Sequence, residues 1–446
     1  MEIKKGTENK MNVGFISLGC NKNLVDTEII IGIFKNHNFN IVNNPEDADI
    51  LLINTCGFIQ SAKEEAINTI LEMAKYKEKR CKYLIATGCL VQRYKKDLEA
   101  ALPEVDLFLT IDDYDNFWNI ISNLIPSELL PDNSSLTKTD RVISTGKHMA
   151  YLKIAEGCSN HCTYCAIPHI RGPFVSREIE SILKEANELS QKGYEEIILI
   201  AQDTTKYGID LYGEPKLAYL LNEMCKIDGI KWIRFLYSYP ETITDELIAV
   251  VKNNDKICKY FDIPIQHFSD SVLKRMNRQS TGEKITNLIK KLRTEIPNVI
   301  LRTTLIVGFP GETEEDFNIL YESVKDLKFD KLGTFTYSKE DGTPASRLPN
   351  QIHHSTKKSR YHKIMKLQQE ISKENLKNKI GNIYETFIEG KSFDNKYYLA
   401  RTYMDVPDID GFLYIPCDDS SCDLSGTFVK CKITDIRDYD LVGELV

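Results

Sequence analysis

No apolar run in this 446-residue chain reaches the length of a membrane span. No secretory signal is legible, and there is no internal repeat or low-complexity tract. The first absence excludes a helical channel or transporter. The second makes the cytoplasm the expected location, where twelve cysteines are more often free or metal-bound than bridged. Positive charge is also in short supply. Lys and Arg number 57 against 65 Asp and Glu, a formal net charge of −8, so there is no overall electrostatic case for binding nucleic acid. What remains is globular, 42% hydrophobic and 27% charged, with length for two to four domains that each bury a core. The first ten residues, MEIKKGTENK, are polar and expected to fray.

Hydrophobic periodicity organises the chain into three parts. From Met11 to about Ile125, NVGFISL, ADILLINT and KYLIATG read as buried strands. The amphipathic segments LVDTEIIIGIFKNHN and SAKEEAINTILEMAKYK alternate with them, which predicts a doubly wound parallel α/β sheet. Residues 126–147 lack periodicity and read as a linker. Six strand–helix units follow, with strands beginning at Ala150, Glu196, Trp232, Tyr260, Val299 and Lys331. Six units are too few for a closed eight-unit barrel, so a partial barrel is expected, with its chemistry at the carboxyl ends of the strands. Residues 352–380 predict a long helix with eight Lys/Arg against two Glu. From Gly381 onward the pattern changes to short β-runs, IYETFIEG, YYLARTYM, GFLYIPC, GTFVKCKITDI and LVGEL, which predict a small five-stranded barrel of OB-like size. The expected domains are 11–127, 144–374 and 377–446.

Two sets of three cysteines stand out. Cys158, Cys162 and Cys165 form C-x3-C-x2-C within EGCSNHCTYC, just past the first barrel strand. Three thiolates in so short a loop could hold three irons of a [4Fe–4S] cluster and leave the fourth open, unlike an ordinary four-cysteine site. The alternative is zinc, with His161 or His169 as a further ligand, or plain buried thiols. Cys20 in SLGCNKN, Cys56 in INTCGF and Cys89 in ATGCLVQ each lie just past one of the first three strands, beside or one residue from a glycine. Successive parallel strands end on one edge, so these thiols could converge there. They could equally be small buried hydrophobes. Cys81, Cys225, Cys258, Cys417, Cys422 and Cys431 show no such placement and are read as structural.

With these motifs the chain resembles the methylthiotransferase family. SLGCNKNLVDTE, INTCGFI, ATGCL, EGCSNHCTYCAIPHIRGPFVSRE and GFPGETEEDF carry the resemblance, which spans Met11 to Val446. It implies an N-terminal domain whose Cys20, Cys56 and Cys89 hold an auxiliary [4Fe–4S] cluster. It further implies a radical S-adenosylmethionine (SAM) core, whose Cys158, Cys162 and Cys165 hold a second cluster, and a C-terminal TRAM domain. In such enzymes one SAM delivers a methyl group to sulfur on the auxiliary cluster. Another is cleaved to a 5′-deoxyadenosyl radical that takes a substrate hydrogen. IAQDTTKYGIDLYG, FTYSKEDGTPAS and the ending DYDLVGEL are similar to the branch that modifies an aspartate β-carbon of small-subunit ribosomal protein S-twelve. Asn21 and Thr27 depart from that branch, where Pro and Ser are usual. Asn21 bears on the shape of the first cysteine loop and not on the ligand. The alternative is the branch that modifies tRNA adenosine. The resemblance also implies a low-potential electron donor such as flavodoxin or ferredoxin.

An unactivated carbon offers acid–base chemistry no handle, so the cofactor carries the hard step, and no catalytic side chain is assigned. Candidate SAM contacts are Gln202, Asp203, Gln266, His267 and Arg302, polar groups at or near strand ends. His267 is as readily a structural residue, and Arg302 a partner for a barrel carboxylate. Arg171 and Arg177 could face a carboxylate or position the cysteine loop, and Tyr164 could cover the cluster or touch SAM. From Gly381 on, thirteen Asp/Glu face six Lys/Arg. That balance suits docking on a basic protein and counts against tRNA. It casts Asp405, Asp408, Asp410, Asp418, Asp419 and Asp423 as a surface for substrate. The expected C-terminal barrel lies beyond both cysteine sets and reads as separable from SAM cleavage.

Overall fold

The computed structural model describes residues 10–126, 141–146, 148–417 and 423–446. Most of the expected linker lies outside them, as do Cys422, Asp418 and Asp419. The chain divides into two compact units. The first runs to Ser144 and takes in Gly157–Ser159 and Cys165–Pro173. The second holds Thr145–Glu156, Asn160–Tyr164 and Phe174–Val446.

In the first unit, β1 (Asn12–Ser17), β2 (Asn40–Val42), β3 (Ile50–Thr55), β4 (Tyr83–Gly88) and β5 (Leu107–Leu109) form one parallel sheet in the order β2-β1-β3-β4-β5. The central strand β3, ILLINT, is buried along its whole length, because apolar clusters cover both faces. Leu51, Ile53, Ile70 and Leu84 lie in one cluster, and Ile50, Leu52, Phe34 and Ile85 in the other. Strands β2 and β5 were not legible in the sequence. Each is three residues long, and the side chains of β2 are exposed or half-buried, so no hydrophobic pattern marks it. The strand order reverses between β1 and β3, and the crevice at such a switch point is where open parallel sheets bind ligands.

The second unit contains β6 (Met149–Lys153), β7 (Ala155–Glu156), β8 (Val175–Ser176), β9 (Glu196–Ile200), β10 (Trp232–Phe235), β11 (Tyr260–Gln266), β12 (Ile300–Val307) and β13 (Lys331–Thr336). Two parallel sheets, β6-β9-β10 and β11-β12-β13, supply the six expected strands. A single parallel bridge joins Ile233, in β10, to Ile257. The antiparallel pair β7–β8, absent from the sequence reading, joins Ala155 to Ser176 and Glu156 to Val175. It brackets the cysteine loop. The helix His354–Lys377 buries Ile364, Leu367 and Ile371. Arg360 on this helix donates to Glu312 Oε1 at 2.8 Å, and Gln368 Nε2 to the Phe329 carbonyl at 2.9 Å. Its buried face therefore packs on the six-stranded core.

The C-terminal strands β14 (Ile383–Lys391), β15 (Tyr397–Thr402), β16 (Leu413–Pro416), β17 (Phe428–Arg437) and β18 (Asp440–Leu445) close into a barrel, β14-β15-β16-β18-β17. This barrel is not a detachable module. Glu196, at the start of β9, is 2% exposed. It accepts from Arg234 Nε at 2.5 Å and Arg401 Nη2 at 2.7 Å. Arg234 donates onward to the Tyr403 and Thr402 carbonyls at 2.6 and 3.0 Å. The acidic surface also shrinks. Asp405 pairs with Lys331 at 2.8 Å, and Asp410 accepts from the Tyr260 hydroxyl at 2.7 Å. Both are spent inside the unit, and Asp423 caps Ser425 locally.

Candidate functional site

Cys20 follows β1, Cys56 follows β3 and Cys89 opens the helix after β4, so the three thiols straddle and flank the switch point. Asn23 holds the loops together. It is fully buried, and its Nδ2 donates to the Leu18 and Thr55 carbonyls, each at 3.0 Å. Asn54 Nδ2 returns a bond to the Asn23 carbonyl at 2.9 Å. The first loop and the second are thus tied through one amide, a role the sequence did not reveal. Gly19 has φ +88°, and a Cβ there would lie 2.9 Å from Cys56 Sγ. Only glycine lets the two loops meet this closely.

Burial raises the pKa of Cys56 and pushes Cys89 up to about 11. Cys20 adds to both shifts, and the Arg171 guanidinium opposes both. The Cys56 and Cys89 thiols therefore share one field that holds them protonated. A metal held here would displace those protons, since thiolate is the ligating form. Three soft donors with an adjacent buried cation suit an iron–sulfur cluster. Among the described residues no three His, Cys, Asp or Glu side chains gather closely enough to share a single ion. A four-iron cube holds its thiolates further apart than one ion does.

The second triad lies in a loop pinned along its length. Gly157 has φ +72°, and a Cβ there would lie 1.9 Å from the Pro173 carbonyl oxygen. Cys158 N donates to the Gly172 carbonyl at 3.1 Å. Further along, Thr163 N and Oγ1 donate to the carbonyls of Met276 and Arg275 at 3.0 and 2.8 Å. Ala345, within the KEDGTPAS block, donates to the Thr163 carbonyl at 2.9 Å. Asn277 Nδ2 reaches the His161 carbonyl at 3.0 Å. Cys162 Sγ lies 2.8 Å from the Tyr239 hydroxyl, whose ring packs under the Arg278 guanidinium at 4.0 Å. Gly157→Ala is expected to unseat the loop, costing about 1–3 kcal/mol locally for the disallowed backbone besides the clash. Iron analysis after reconstitution should show loss of the Cys158–Cys165 cluster while the other is retained.

The expected SAM contacts take different places. Asp203 is fully buried and accepts from Asn160 Nδ2 and Thr205 Oγ1, both at 2.8 Å. It positions the cysteine loop. Gln202 Nε2 donates to Glu156 at 2.9 Å, while its buried Oε1 has no partner. Gln266 ends β11 with φ +75°, a strained conformation of the kind that clusters at functional sites. His267 is fully buried and neutral, its pKa lowered to about 3 by burial. Its Nδ1 accepts from Ser269 N at 2.9 Å. Arg302 lies in the amino-terminal half of β12 and pairs with Asp262 at 2.8 Å, with Asp410 3.8 Å away. Arg177 donates to the Lys153 carbonyl at 2.7 Å and pairs with Glu185 at 2.8 Å. Two residues not singled out in the sequence carry further orphans: Ser238 Oγ, and Nε and Nη1 of Arg278. The Nε2 of His267 is likewise without a partner, and a buried polar atom left open is satisfied by a water, an ion or a ligand. The hydroxyl, the amide oxygen and the two Arg278 nitrogens left open are of the kinds that would suit the amino, carboxylate and ribose groups of SAM. The signal available in the sequence was position for Ser238, which follows β10, whereas Arg278 lies beyond the helix Asp270–Arg275.

Residues 152–324 match the radical SAM superfamily, 12–110 the uncharacterised protein family UPF0004, and 380–446 the TRAM domain. The ribosomal protein uS12 methylthiotransferase RimO of Alkaliphilus oremlandii is 64% identical over 435 residues, covering 98% of this chain and 99% of that protein. The proteins of the same name from Clostridium novyi and Acetivibrio thermocellus are 51% and 50% identical, each over 98% of this chain. They cover 98% and 99% of those proteins. Among solved structures, the radical SAM methyltransferase TsrM from Kitasatospora setae superposes with a TM-score of 0.56 at 10% identity, covering 75% of this chain and 74% of that one. The radical enzyme OxsB gives a TM-score of 0.51 at 12% identity over 82% of this chain and 56% of that one. These two speak for the fold alone. On sequence identity over nearly its whole length, the chain belongs to the RimO family of radical SAM methylthiotransferases.

Proposed function

We propose that this protein adds a methylthio group to the β-carbon of an aspartate in small-subunit ribosomal protein uS12. The observation that carries the reading is the pair of cysteine triads, each following strands of its own parallel sheet. Cys20, Cys56 and Cys89 would hold the auxiliary [4Fe–4S] cluster. Cys158, Cys162 and Cys165 would hold the one that binds SAM. When bound, these groups supply the electron that splits SAM to a 5′-deoxyadenosyl radical, and the sulfur and methyl group that are transferred.

The protein's own part is binding and placement. Three ligands in the Cys158 loop leave the fourth iron for the amino and carboxylate groups of SAM. Gln202 after β9, Ser238 after β10 and Arg278 present open polar atoms, and Gln266 ends β11. Asp203, Thr163 and Asn277 keep the loop in register. Tyr239 donates to the Cys162 sulfur once that sulfur is a thiolate, because burial holds the phenol neutral. Function assigns domains at 11–127, 144–374 and 377–446. The electron source is a low-potential donor such as flavodoxin or ferredoxin. No helix among the described residues is long and apolar enough to cross a membrane, in keeping with work in the cytoplasm beside the ribosome.

The decisive experiment offers the reconstituted enzyme, SAM and reductant both uS12 and bulk tRNA. Mass spectrometry should find the methylthio increment on one aspartate of uS12, with about eight irons per chain. Modified tRNA with untouched uS12 would replace this reading with the tRNA adenosine alternative.

A further inference from the structure

Arg171 ends the short helix Ile167–Arg171, in the segment that packs with the N-terminal sheet. Its side chain is 2% exposed. Nη1 donates to Asp26 Oδ2 at 2.7 Å. Nη2 donates to Asn23 Oδ1 at 2.5 Å and lies 3.6 Å from Cys89 Sγ. An Nη carries two hydrogens, so one serves Asn23 and the other faces the sulfur. In the metal-free protein the Cys89 thiol donates to Asn23 Oδ1 at 3.4 Å. Iron binding removes that proton. The sulfur and Asn23 Oδ1 are then both acceptors and cannot serve each other. The Asn23 amide cannot turn its NH2 toward the sulfur, since that group is committed to Leu18 and Thr55. Arg171 is the donor that satisfies both.

We propose that Arg171 is a positioning residue of the auxiliary centre, donating from Nη2 to the Cys89 sulfur once it binds iron and thereby raising that cluster's reduction potential. The proposal rests on reading Cys20, Cys56 and Cys89 as cluster ligands. Hydrogen bonds to the sulfurs are one of the levers that set such potentials, and a donor there favours the reduced, more negative state. Asp26 balances the formal charge of the guanidinium, so the N–H···S bond is the part that a charge-neutral replacement removes.

The test uses the full-length chain with Cys158, Cys162 and Cys165 all replaced by alanine, which isolates the auxiliary centre. After anaerobic reconstitution this background should hold about four irons, and its potential is read by redox titration followed by EPR. Arg171→Met combined with Asp26→Asn removes the donor without stranding a buried charge. Iron should be retained and the midpoint should fall. At the parent midpoint the reduced-to-oxidised ratio should drop about tenfold, which is 59 mV for one electron. Arg171→Lys keeps the ion pair and loses the second Nη hydrogen. Its shift should be smaller and in the same direction, and it serves as the test should the double variant fail to take up iron. An unchanged midpoint in an iron-loaded variant overturns the role of Arg171 and leaves the ligand set standing. A background protein that binds no iron overturns the ligand set, and the inference with it.

Discussion

Cys158→Ala abolishes 5′-deoxyadenosine formation, to the level of protein without iron, whereas Cys20→Ala leaves that reaction largely intact and stops methylthio transfer. This split is the expected result because the two triads follow different strands of the chain, Cys20, Cys56 and Cys89 after β1, β3 and β4, and the Cys158 loop after β7. Cys158 N is held to Gly172, and the loop offers no other thiolate able to replace its sulfur. Cys20 lies in the switch-point crevice of the other sheet, so losing it leaves the Cys158 loop and the open atoms of Gln202, Ser238 and Arg278 in place. Chromatographic assay of 5′-deoxyadenosine, run beside mass spectrometry of the substrate protein, separates the two losses. Continued 5′-deoxyadenosine formation by Cys158→Ala would overturn the assignment of the SAM-binding cluster.

The second large effect concerns the C-terminal barrel. From the sequence, deletion of residues 381–446 should spare SAM cleavage. The structure reverses that expectation. Deletion would strip Arg401 from Glu196, Asp405 from Lys331 and Asp410 from Tyr260. Breaking a buried pair from one side costs about 3–5 kcal/mol, because a charge is left uncompensated. Arg401→Met alone should therefore lower the thermal midpoint clearly, and the deletion should remove SAM cleavage and methylthio transfer together. Combining Arg401→Met with Glu389→Gln should recover part of the loss, since Glu196 keeps Arg234 and the carboxylate that Arg401 leaves behind is then neutral. A deleted protein that cleaves SAM at the parent rate would show that the network is dispensable. Reversing surface carboxylates remains a way to probe substrate capture at Asp408 and Asp423, but Asp405 and Asp410 are unsuitable, because their reversal would break internal pairs.

Hydrophobic period was enough to place the longer strands, since ILLINT, EIILI and WIRF are buried runs bounded by turns. Spacing singled out the six candidate cysteines, three because they recur just past successive parallel strands, which end on one edge, and three because they crowd one short loop. The short pairs were invisible. Strand β2 buries too little, and β7–β8 is two residues a side, so neither has a period to detect. Only the tertiary structure decided which polar side chains hold the site. Arg171 meets Asp26 across 145 residues, and Arg401 meets Glu196 across 205. A charged residue looks the same in sequence whether it is solvated or buried against its opposite. Asn23 reads as an ordinary helix residue until its amide is found between two loops. The acidic balance of the C-terminal barrel was correctly counted, yet the count could not say which carboxylates face solvent. That depends on which cations the fold brings within hydrogen-bonding distance, and those come from strands far away in the chain.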